Sequence, residues 1–336
     1  MESRMPRSFL ALCLAALAAP ALAQQQPAYG PRLEGFDYPH PVQRYAFSAQ
    51  QQDLEMVYMD VAPTGQANGQ TAVLLHGKNF CAATWEDTIV ALARSGYRVI
   101  APDQMGFCKS SKPRHYQFSL AGLADNTHAL LASLGIDKAV IVGHSMGGML
   151  AIRYALMFPG EVSHLALVDP IGLEDWKAVG VPYQSVDQWY AGELKTSFES
   201  IKQYQMDVYY AGTWKPAFEH WARMQAGLYA GAGKEINAWD QALTYDMVYN
   251  QPVVYELPRI AVPTTLFIGL KDRTAIGKGK APPQIRATLG NYPVLGKRAA
   301  AAIPGAKLIE FDDLGHSPQV QDPARFNAAL LNSLAP

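Results

Sequence analysis

A single pentapeptide limits the folds open to this chain. Gly143-His144-Ser145-Met146-Gly147 lies between an apolar run at 138–142, which predicts a buried strand, and an amphipathic segment at 146–158, which predicts a helix. So sharp a turn from strand to helix leaves no room for side chains two residues before or after Ser145, so glycine is needed at both places. The strained turn would expose Ser145 Oγ, with free N–H groups of the helix N-terminus beside it. The motif in this context predicts a nucleophilic serine.

Predicted strands and helices alternate on both sides of this motif. Strand patterns lie at 44–47, 54–61, 71–75, 97–101, 138–142, 164–168, 263–269 and 307–311. Helix patterns lie at 84–95, 119–134, 146–158 and from Asp322 onward. This alternation predicts an α/β fold, with a mostly parallel sheet and helices on both of its faces.

The stretch 171–256 interrupts the alternation, because it has no strong strand pattern. It holds five of the six tryptophans and nine of the 17 tyrosines, and it predicts several helices with an aromatic face. Such aromatic side chains either build the core of the helical block or line a pocket for apolar acyl or aryl groups.

Charge and motif content exclude several classes of function. The formal net charge of −1 offers no concentrated basic face for a nucleic acid. The chain has no His-Glu-x-x-His, no phosphate-binding glycine loop and no dinucleotide fingerprint, so we expect neither a metal nor a cofactor. The expected partner is a small-molecule substrate, and the oligomeric state stays open.

The first 23 residues predict a secretory signal peptide. Arg4 and Arg7 precede an apolar run at 9–22, and Ala21-Leu22-Ala23 is a small-x-small site, so we expect cleavage after Ala23 and a periplasmic or secreted protein. A lipoprotein modified at Cys13 is the alternative. No other run is long and apolar enough to predict a membrane span.

Five segments, in this order, make the sequence similar to the α/β-hydrolase superfamily. They are His76-Gly77, Ala101-Pro102-Asp103 with Met105-Gly106-Phe107, the serine pentapeptide, Gly269-Leu270-Lys271-Asp272 and Leu314-Gly315-His316. The resemblance implies an eight-stranded sheet with a helical cap inserted after the sixth strand. The expected parts are a signal peptide at 1–23, an N-terminal extension at 24–42, a core at 43–170 and 257–336, and the cap at 171–256.

The resemblance also implies partners for Ser145. His316 follows the last strand, where the family places its base, and a histidine can accept and return a proton near neutral pH. Asp272 follows the strand at 263–269, the family position of the acid that orients this base. Asp169, just after the preceding core strand, is the second candidate for the acid.

Other histidines and acids fit these roles less well. His76 and His144 lie next to the motifs, but at positions that serve other purposes. In the family, His76 would be a structural partner of the oxyanion loop. Asp312 and Asp313 lie close to His316 in sequence, but we expect them to face away from it.

An oxyanion hole requires two aligned N–H donors. The Met146 N–H, directly after the nucleophile, is one. The family pattern implies Lys78 as the second, whereas Asn79 and Phe80 stay open because backbone donors leave no mark in the sequence.

Two cysteines follow strands that are neighbours in the family's sheet. Cys81 and Cys108 would then lie on the same edge, and an exported protein meets an oxidising compartment. We therefore expect that these two residues can form a disulfide beside the active site.

These expectations describe an exported serine hydrolase that cleaves carboxylic esters, thioesters or lactones of apolar or aromatic substrates through an acyl-enzyme. The alternatives are carbon–carbon bond hydrolysis, amide hydrolysis or perhydrolysis on the same triad, and a ligand-binding member of the fold without turnover. The connection after Asp272 is rich in lysine and arginine. Its simplest interpretation is a solvated surface loop, although it could also attract an anionic substrate or form an interface.

Overall fold

The structure of the chain is a computed structural model that describes Met1 and residues 26–335. The predicted signal peptide, its cleavage site after Ala23 and the alternative at Cys13 therefore lie outside the described residues. None of the described helices is both long and apolar enough to cross a membrane.

Eight strands form one sheet. They are β1 (Val42–Ala49), β2 (Gln52–Val61), β3 (Thr71–Leu75), β4 (Arg98–Pro102), β5 (Ala139–His144), β6 (Val162–Val168), β7 (Thr264–Gly269) and β8 (Lys307–Phe311). Their order in the sheet is β1-β2-β4-β3-β5-β6-β7-β8. β2 pairs antiparallel with β1 and β4, and all other pairs are parallel. The eight-stranded, mostly parallel sheet predicted from the sequence is confirmed.

Eleven α-helices lie in the described part of the chain. They are α1 (Glu86–Arg94), α2 (Leu120–Ser133), α3 (Met146–Met157), α4 (Val186–Glu193), α5 (Phe198–Tyr204), α6 (Pro216–Ala230), α7 (Lys234–Asn250), α8 (Pro283–Arg286), α9 (Tyr292–Ala302), α10 (Pro318–Gln321) and α11 (Pro323–Leu334). The Ser119 side chain accepts from the Gly122 N–H and so begins α2, as its N-cap position predicts.

Both faces of the sheet are covered, because successive side chains of a strand point to opposite sides. In β3, Val73 and Leu75 belong to a core shared with α2 and α3, while Ala72 and Leu74 belong to a second core shared with α1 and α11. All four side chains are fully buried. This explains why the central strands are continuous apolar runs rather than alternating patterns.

Helices α4 to α7 lie between β6 and β7, within the stretch that the sequence separates from the core. α4 packs against α7, α5 against α6, and α6 against α7. We refer to this helical block as the cap.

The N-terminal extension packs more tightly than its Gln- and Pro-rich composition indicates. Leu33 is fully buried, and the Phe36 ring lies 5.2 Å from the His220 ring of α6. The Tyr29 N–H donates to the Gly227 carbonyl in α6 at 3.0 Å, while Arg32 Nε donates to the Lys109 carbonyl in the core at 2.8 Å. The extension therefore joins the cap to the core, and two apolar side chains anchor it.

The connection from β7 to β8 is not only a surface loop. It contains α9, whose residues Tyr292, Leu295 and Ala299 are buried. A Cβ on Gly296 would lie 2.9 Å from the Ile268 side chain, so this helix lies directly on the sheet. The density of basic residues concealed this helix, because its buried face is narrow and consists of four residues.

Candidate active site

Ser145 lies at the strained junction between β5 and α3. Its backbone φ of 57° and ψ of −118° are rare for a residue with a side chain. A Cβ on Gly143 would lie 2.2 Å from the Gly147 carbonyl oxygen, and one on Gly147 would lie 2.2 Å from the Leu75 carbonyl oxygen. Glycine is therefore required at both positions, because neighbouring backbone atoms lie too close to admit a side chain. The turn places Ser145 Oγ at the carboxyl end of the sheet, before the first turn of α3.

Three side chains from three separate connections meet at this point. Ser145 Oγ lies 2.8 Å from His316 Nε2, and His316 Nδ1 lies 2.6 Å from Asp272 Oδ2. The other Asp272 oxygen, Oδ1, accepts from the Thr274 N–H at 2.7 Å. His316 and Asp272 are fully buried, and Ser145 is 4% exposed. In this row one ring nitrogen of His316 faces the hydroxyl and the other faces the carboxylate.

Asp169, the second candidate for the acid, lies behind Asp272 rather than against His316. Its carboxylate accepts from the Gly269 N–H at 3.0 Å. Burial, and next the negative charge of Asp272, raise the pKa of Asp169 well above the usual range. This shift favours the protonated form of Asp169, which lies beside the acid that contacts His316.

The two other acids near His316 in sequence lie at the surface. Asp312 and Asp313 are exposed, and Asp313 forms an ion pair with Arg325 of α11. They face away from the site, as expected.

His76 and His144 hold the surrounding loops. His76 Nε2 accepts from the Gln104 N–H at 3.0 Å, and its Nδ1 donates to the Gly77 carbonyl at 2.9 Å. His144 Nε2 donates to the His316 carbonyl at 2.8 Å. Burial lowers the pKa of both rings, so each stays neutral with one defined proton.

The turn that follows His76 lies beside Ser145. A Cβ on Gly77 would lie 2.8 Å from His144 Nδ1 and 3.1 Å from Ser145 Cβ, so only glycine fits there. The Phe80 N–H is used within this turn, where it donates to the Gly77 carbonyl at 3.1 Å. Of the three residues considered for the second oxyanion donor, Lys78 and Asn79 remain.

The Lys78 side chain reaches into the cap. Its Nζ lies 3.6 Å from Glu193 Oε1 at the end of α4 and 3.5 Å from the centre of the Tyr245 ring in α7. Burial lowers the pKa of Lys78, and the charge of Glu193 opposes this shift. The loop beside Ser145 is thereby linked to the position of the cap.

Tyr209 of the cap lies over the three hydrogen-bonded side chains of the site. Its ring centre lies 4.8 Å from that of His316, and its hydroxyl accepts from Asn79 Nδ2 at 2.8 Å. It ends a π-helical turn, Gln205–Tyr209, a type of distortion that is frequent at functional sites. The sequence pointed to Tyr209 only through the general density of aromatics in the cap, and nothing local distinguished it from the other tyrosines.

The predicted disulfide between Cys81 and Cys108 is not formed, and this expectation was wrong. Both cysteines are free and buried. Cys81 Sγ contacts Met224 Sδ at 3.2 Å, whereas Cys108 Sγ is directed to the Phe80 carbonyl at 3.7 Å. The predicted proximity is correct, since the two sulfurs lie within 4.8 Å of each other, but they are not joined at the distance of about 2.05 Å that a disulfide needs.

Asp103 lies beside these thiols. One of its carboxylate oxygens and the two Sγ atoms all lie within 4.8 Å of one another. Its carboxylate accepts from the Ala82 N–H at 2.8 Å, the Tyr38 hydroxyl at 2.6 Å and the Lys109 N–H at 3.0 Å. These three hydrogen bonds explain why a carboxylate is buried here, because it holds the surrounding loops together.

Comparison with known proteins identifies the class to which this fold and site belong. The family described as "alpha/beta hydrolase fold" matches residues 72–323, and the chain therefore belongs to the α/β-hydrolase fold family. A crystal structure of a probable hydrolytic enzyme from Pseudomonas aeruginosa PAO1 is 61% identical, with a TM-score of 0.92, and the match covers 93% of this chain and all of that one.

Two curated relatives are similar over shorter stretches. Lipase 1 of Psychrobacter immobilis is 36% identical over 129 residues, which are 38% of this chain and 38% of the lipase. The 2-hydroxy-6-oxo-6-phenylhexa-2,4-dienoate hydrolase of Burkholderia cepacia is 32% identical over 138 residues, which are 40% of this chain and 48% of that enzyme. The chain thus spans less than half the length of either relative.

Proposed function

We propose that the protein is a serine hydrolase that cleaves carboxylic esters through a Ser145–His316–Asp272 triad. The observation that carries this proposal is the row of short contacts, 2.8 Å from Ser145 Oγ to His316 Nε2 and 2.6 Å from His316 Nδ1 to Asp272. A serine hydroxyl is a poor nucleophile at neutral pH unless a base accepts its proton, and this row supplies that base.

The reaction follows from the parts. His316 Nε2 takes the hydroxyl proton as Ser145 Oγ attacks the ester carbonyl carbon, and Asp272 stabilises the resulting imidazolium. The oxyanion accepts from the Met146 N–H and from a second N–H in the turn after His76, which we assign to Lys78. His316 then protonates the leaving alcohol, and an acyl-enzyme forms. A water molecule repeats the attack and releases the acid.

The proposal is tested with 4-nitrophenyl esters of increasing acyl length, assayed with the native protein and with Ser145→Ala. We expect turnover by the native protein and a loss of at least about 10³-fold in the variant, because the oxyanion hole and binding alone leave little catalysis. Ser317→Ala, one position from His316, is the matched control. Equal rates in native protein and Ser145→Ala, with both folded, would contradict the proposal.

A second reaction on the same triad is favoured by one observation, the similarity to the hydrolase from Burkholderia cepacia. That enzyme is named for a 2-hydroxy-6-oxo-6-phenylhexa-2,4-dienoate substrate. If the native protein cleaves such a dienoate faster than any ester, and Ser145→Ala abolishes this, carbon–carbon hydrolysis replaces ester hydrolysis as the proposed function. Amide hydrolysis, perhydrolysis and ligand binding without turnover are the alternatives that follow if neither the esters nor the dienoate is turned over.

Export also stays a proposal, supported by Arg4, Arg7 and the Ala21-Leu22-Ala23 site. We expect the mature protein to begin at Gln24. N-terminal sequencing of the protein from a periplasmic or culture fraction tests this, and a mature chain that retains Met1 would contradict it.

A further inference from the structure

A cavity of about 360 Å³ lies between the cap and the connection that follows Asp272. This volume is within the range of small-molecule sites. Three aromatic side chains of the cap form one wall: Trp189, Tyr204 and Tyr245. The Trp189 and Tyr245 rings are stacked with centres 4.3 Å apart, so these two side chains hold each other in place in this wall.

The opposite wall is basic. Arg273, Lys278 and Lys280 line it, and none of the residues that line the cavity in the described part of the chain carries a carboxylate. Three cations that face one cavity without an acid raise its positive potential, and its low-dielectric aromatic wall strengthens that field.

Part of this positive charge is held in place by the backbone. Lys278 Nζ donates to the Arg273 carbonyl at 3.1 Å and to the Leu289 carbonyl at 3.0 Å, so its head is fixed. Burial, and next the repulsion from Arg273, lower the pKa of Lys278, whereas Glu174 and Asp272 raise it. Lys280 is exposed at the cavity mouth. An anion in the cavity would relieve the repulsion among these groups.

The cavity ends next to the triad. Arg273 directly follows Asp272, and the Tyr204 ring of the aromatic wall lies 5.3 Å from the Tyr209 ring, which in turn lies 4.8 Å from His316. A molecule held in the cavity is thus separated from the catalytic histidine by Tyr209. An ester longer than the cavity would pass this tyrosine to reach Ser145.

We propose that the substrate is an ester that carries a second, negatively charged group such as a free carboxylate. The basic wall binds this group and the aromatic wall binds the apolar body, while the ester carbonyl extends past Tyr209 to Ser145. This inference rests on the proposed function for the reaction, and it adds the class of substrate.

The test uses two substrates that differ in whether the far carboxylate is free or capped. These are mono-4-nitrophenyl sebacate, with a free carboxylate at the far end of a long apolar chain, and its methyl ester, in which the carboxylate is capped. We expect the native protein to have a kcat/KM about tenfold or more higher for the charged ester at low salt, a preference that decreases as salt screens the field. We expect Lys280→Met to reduce this ratio roughly threefold to fivefold, and Lys278→Met/Lys280→Met to reduce it further. Lys271→Met, an exposed lysine of the same connection outside the cavity, should leave the ratio unchanged.

A ratio near one in the native protein, or equal ratios in Lys280→Met and Lys271→Met, would overturn the inference while leaving the proposed function intact. If neither ester is turned over, the proposed function fails. A binding measurement then tests the anionic subsite separately. Calorimetric titration of Ser145→Ala with the charged ester should then show an affinity at least about threefold lower when Lys280→Met is added. Equal affinities would overturn the anionic subsite.

Discussion

Each residue of the proposed triad is held by backbone around it. Ser145 is held in a strained turn that two glycines permit, Asp272 accepts from the Thr274 N–H at 2.7 Å, and the His316 carbonyl accepts from His144 at 2.8 Å. The row is thus preorganised, which is the condition for efficient proton transfer between groups already at hydrogen-bond distance.

At this scale we predict the effect of replacing the acid. Asp272→Asn keeps the shape but removes the charge that orients His316 and stabilises its cation, so we expect kcat to decrease by about 10²–10⁴-fold. Steady-state kinetics on a 4-nitrophenyl ester measure this, and a thermal melt confirms that the variant is folded. Asp313→Asn, at the surface, is the control. A decrease of less than tenfold in Asp272→Asn would mean that Asp169 can replace it.

Among the elements, the π-helical turn Gln205–Tyr209 has the most direct consequence for the site. It ends with Tyr209 between the cavity and His316, where the hydroxyl accepts from Asn79 Nδ2. Asn79 belongs to the turn that we propose to supply an oxyanion donor. The cap therefore contacts both the base and the oxyanion loop through one side chain.

We predict that Tyr209→Phe lowers kcat more than it raises KM. The variant keeps the ring on His316 but removes the hydrogen bond to Asn79, which is worth about 0.5–1.5 kcal/mol, so we expect a threefold to tenfold decrease in kcat/KM. Tyr204→Phe, which removes the hydroxyl of a tyrosine that lines the cavity, is compared on the same ester. Identical kinetics of Tyr209→Phe and native protein would contradict a positioning role.

In the molecule as a whole, the N-terminal extension and the cap–core contact decide how firmly the cap is held. Leu33 is fully buried, and the extension hydrogen-bonds to α6 on one side and to the core on the other. The described part of the extension, residues 26–41, thus connects the cap to the core.

We predict that Leu33→Ala destabilises the protein. Truncation of a fully buried leucine leaves a cavity and costs about 2–5 kcal/mol. The free energy of unfolding from denaturant titration measures this, with the exposed Val294→Ala as control. A change below about 1 kcal/mol would show that the N-terminal extension does not contribute to stability.

A second prediction concerns Asp240 of α7, where the cap meets Gly106 of the core. Its buried carboxyl oxygens have no hydrogen-bond partner among residues 26–335, and burial raises its pKa to about 8, although Lys112 and Arg114 oppose the shift. Since the unfolded value is about 3.9, the folded state holds the proton between these pH values, and stability is lost as pH rises toward 8.

We therefore expect Asp240→Asn to lose less stability than the native protein as pH rises. The difference in free energy of unfolding between the two should change by roughly 1–3 kcal/mol in favour of the variant from pH 5 to pH 8. Denaturant titrations at both pH values measure it, with the exposed Asp187→Asn of α4 as control. Parallel pH profiles of native protein and Asp240→Asn would contradict the raised pKa.

The sequence by itself determined the sheet, the helices that flank it in the first half of the chain, and two members of the candidate triad, Ser145 and His316. Apolar runs, glycine stops and the pentapeptide around Ser145 are local signals, because the period of a strand or helix and the sterics of a tight turn depend on neighbouring residues. The order of the five segments then placed Ser145, Asp272 and His316 at one edge of the sheet.

The tertiary structure alone decided which groups meet across the fold. Asp272 rather than Asp169 reaches His316, Cys81 and Cys108 lie close together as free thiols, and Tyr209 covers the base. The basic residues of the connection after Asp272 face an aromatic wall from the cap, although the sequence favoured a solvated loop. Such outcomes depend on side-chain directions and on packing between segments far apart in the chain, and no local periodicity records these.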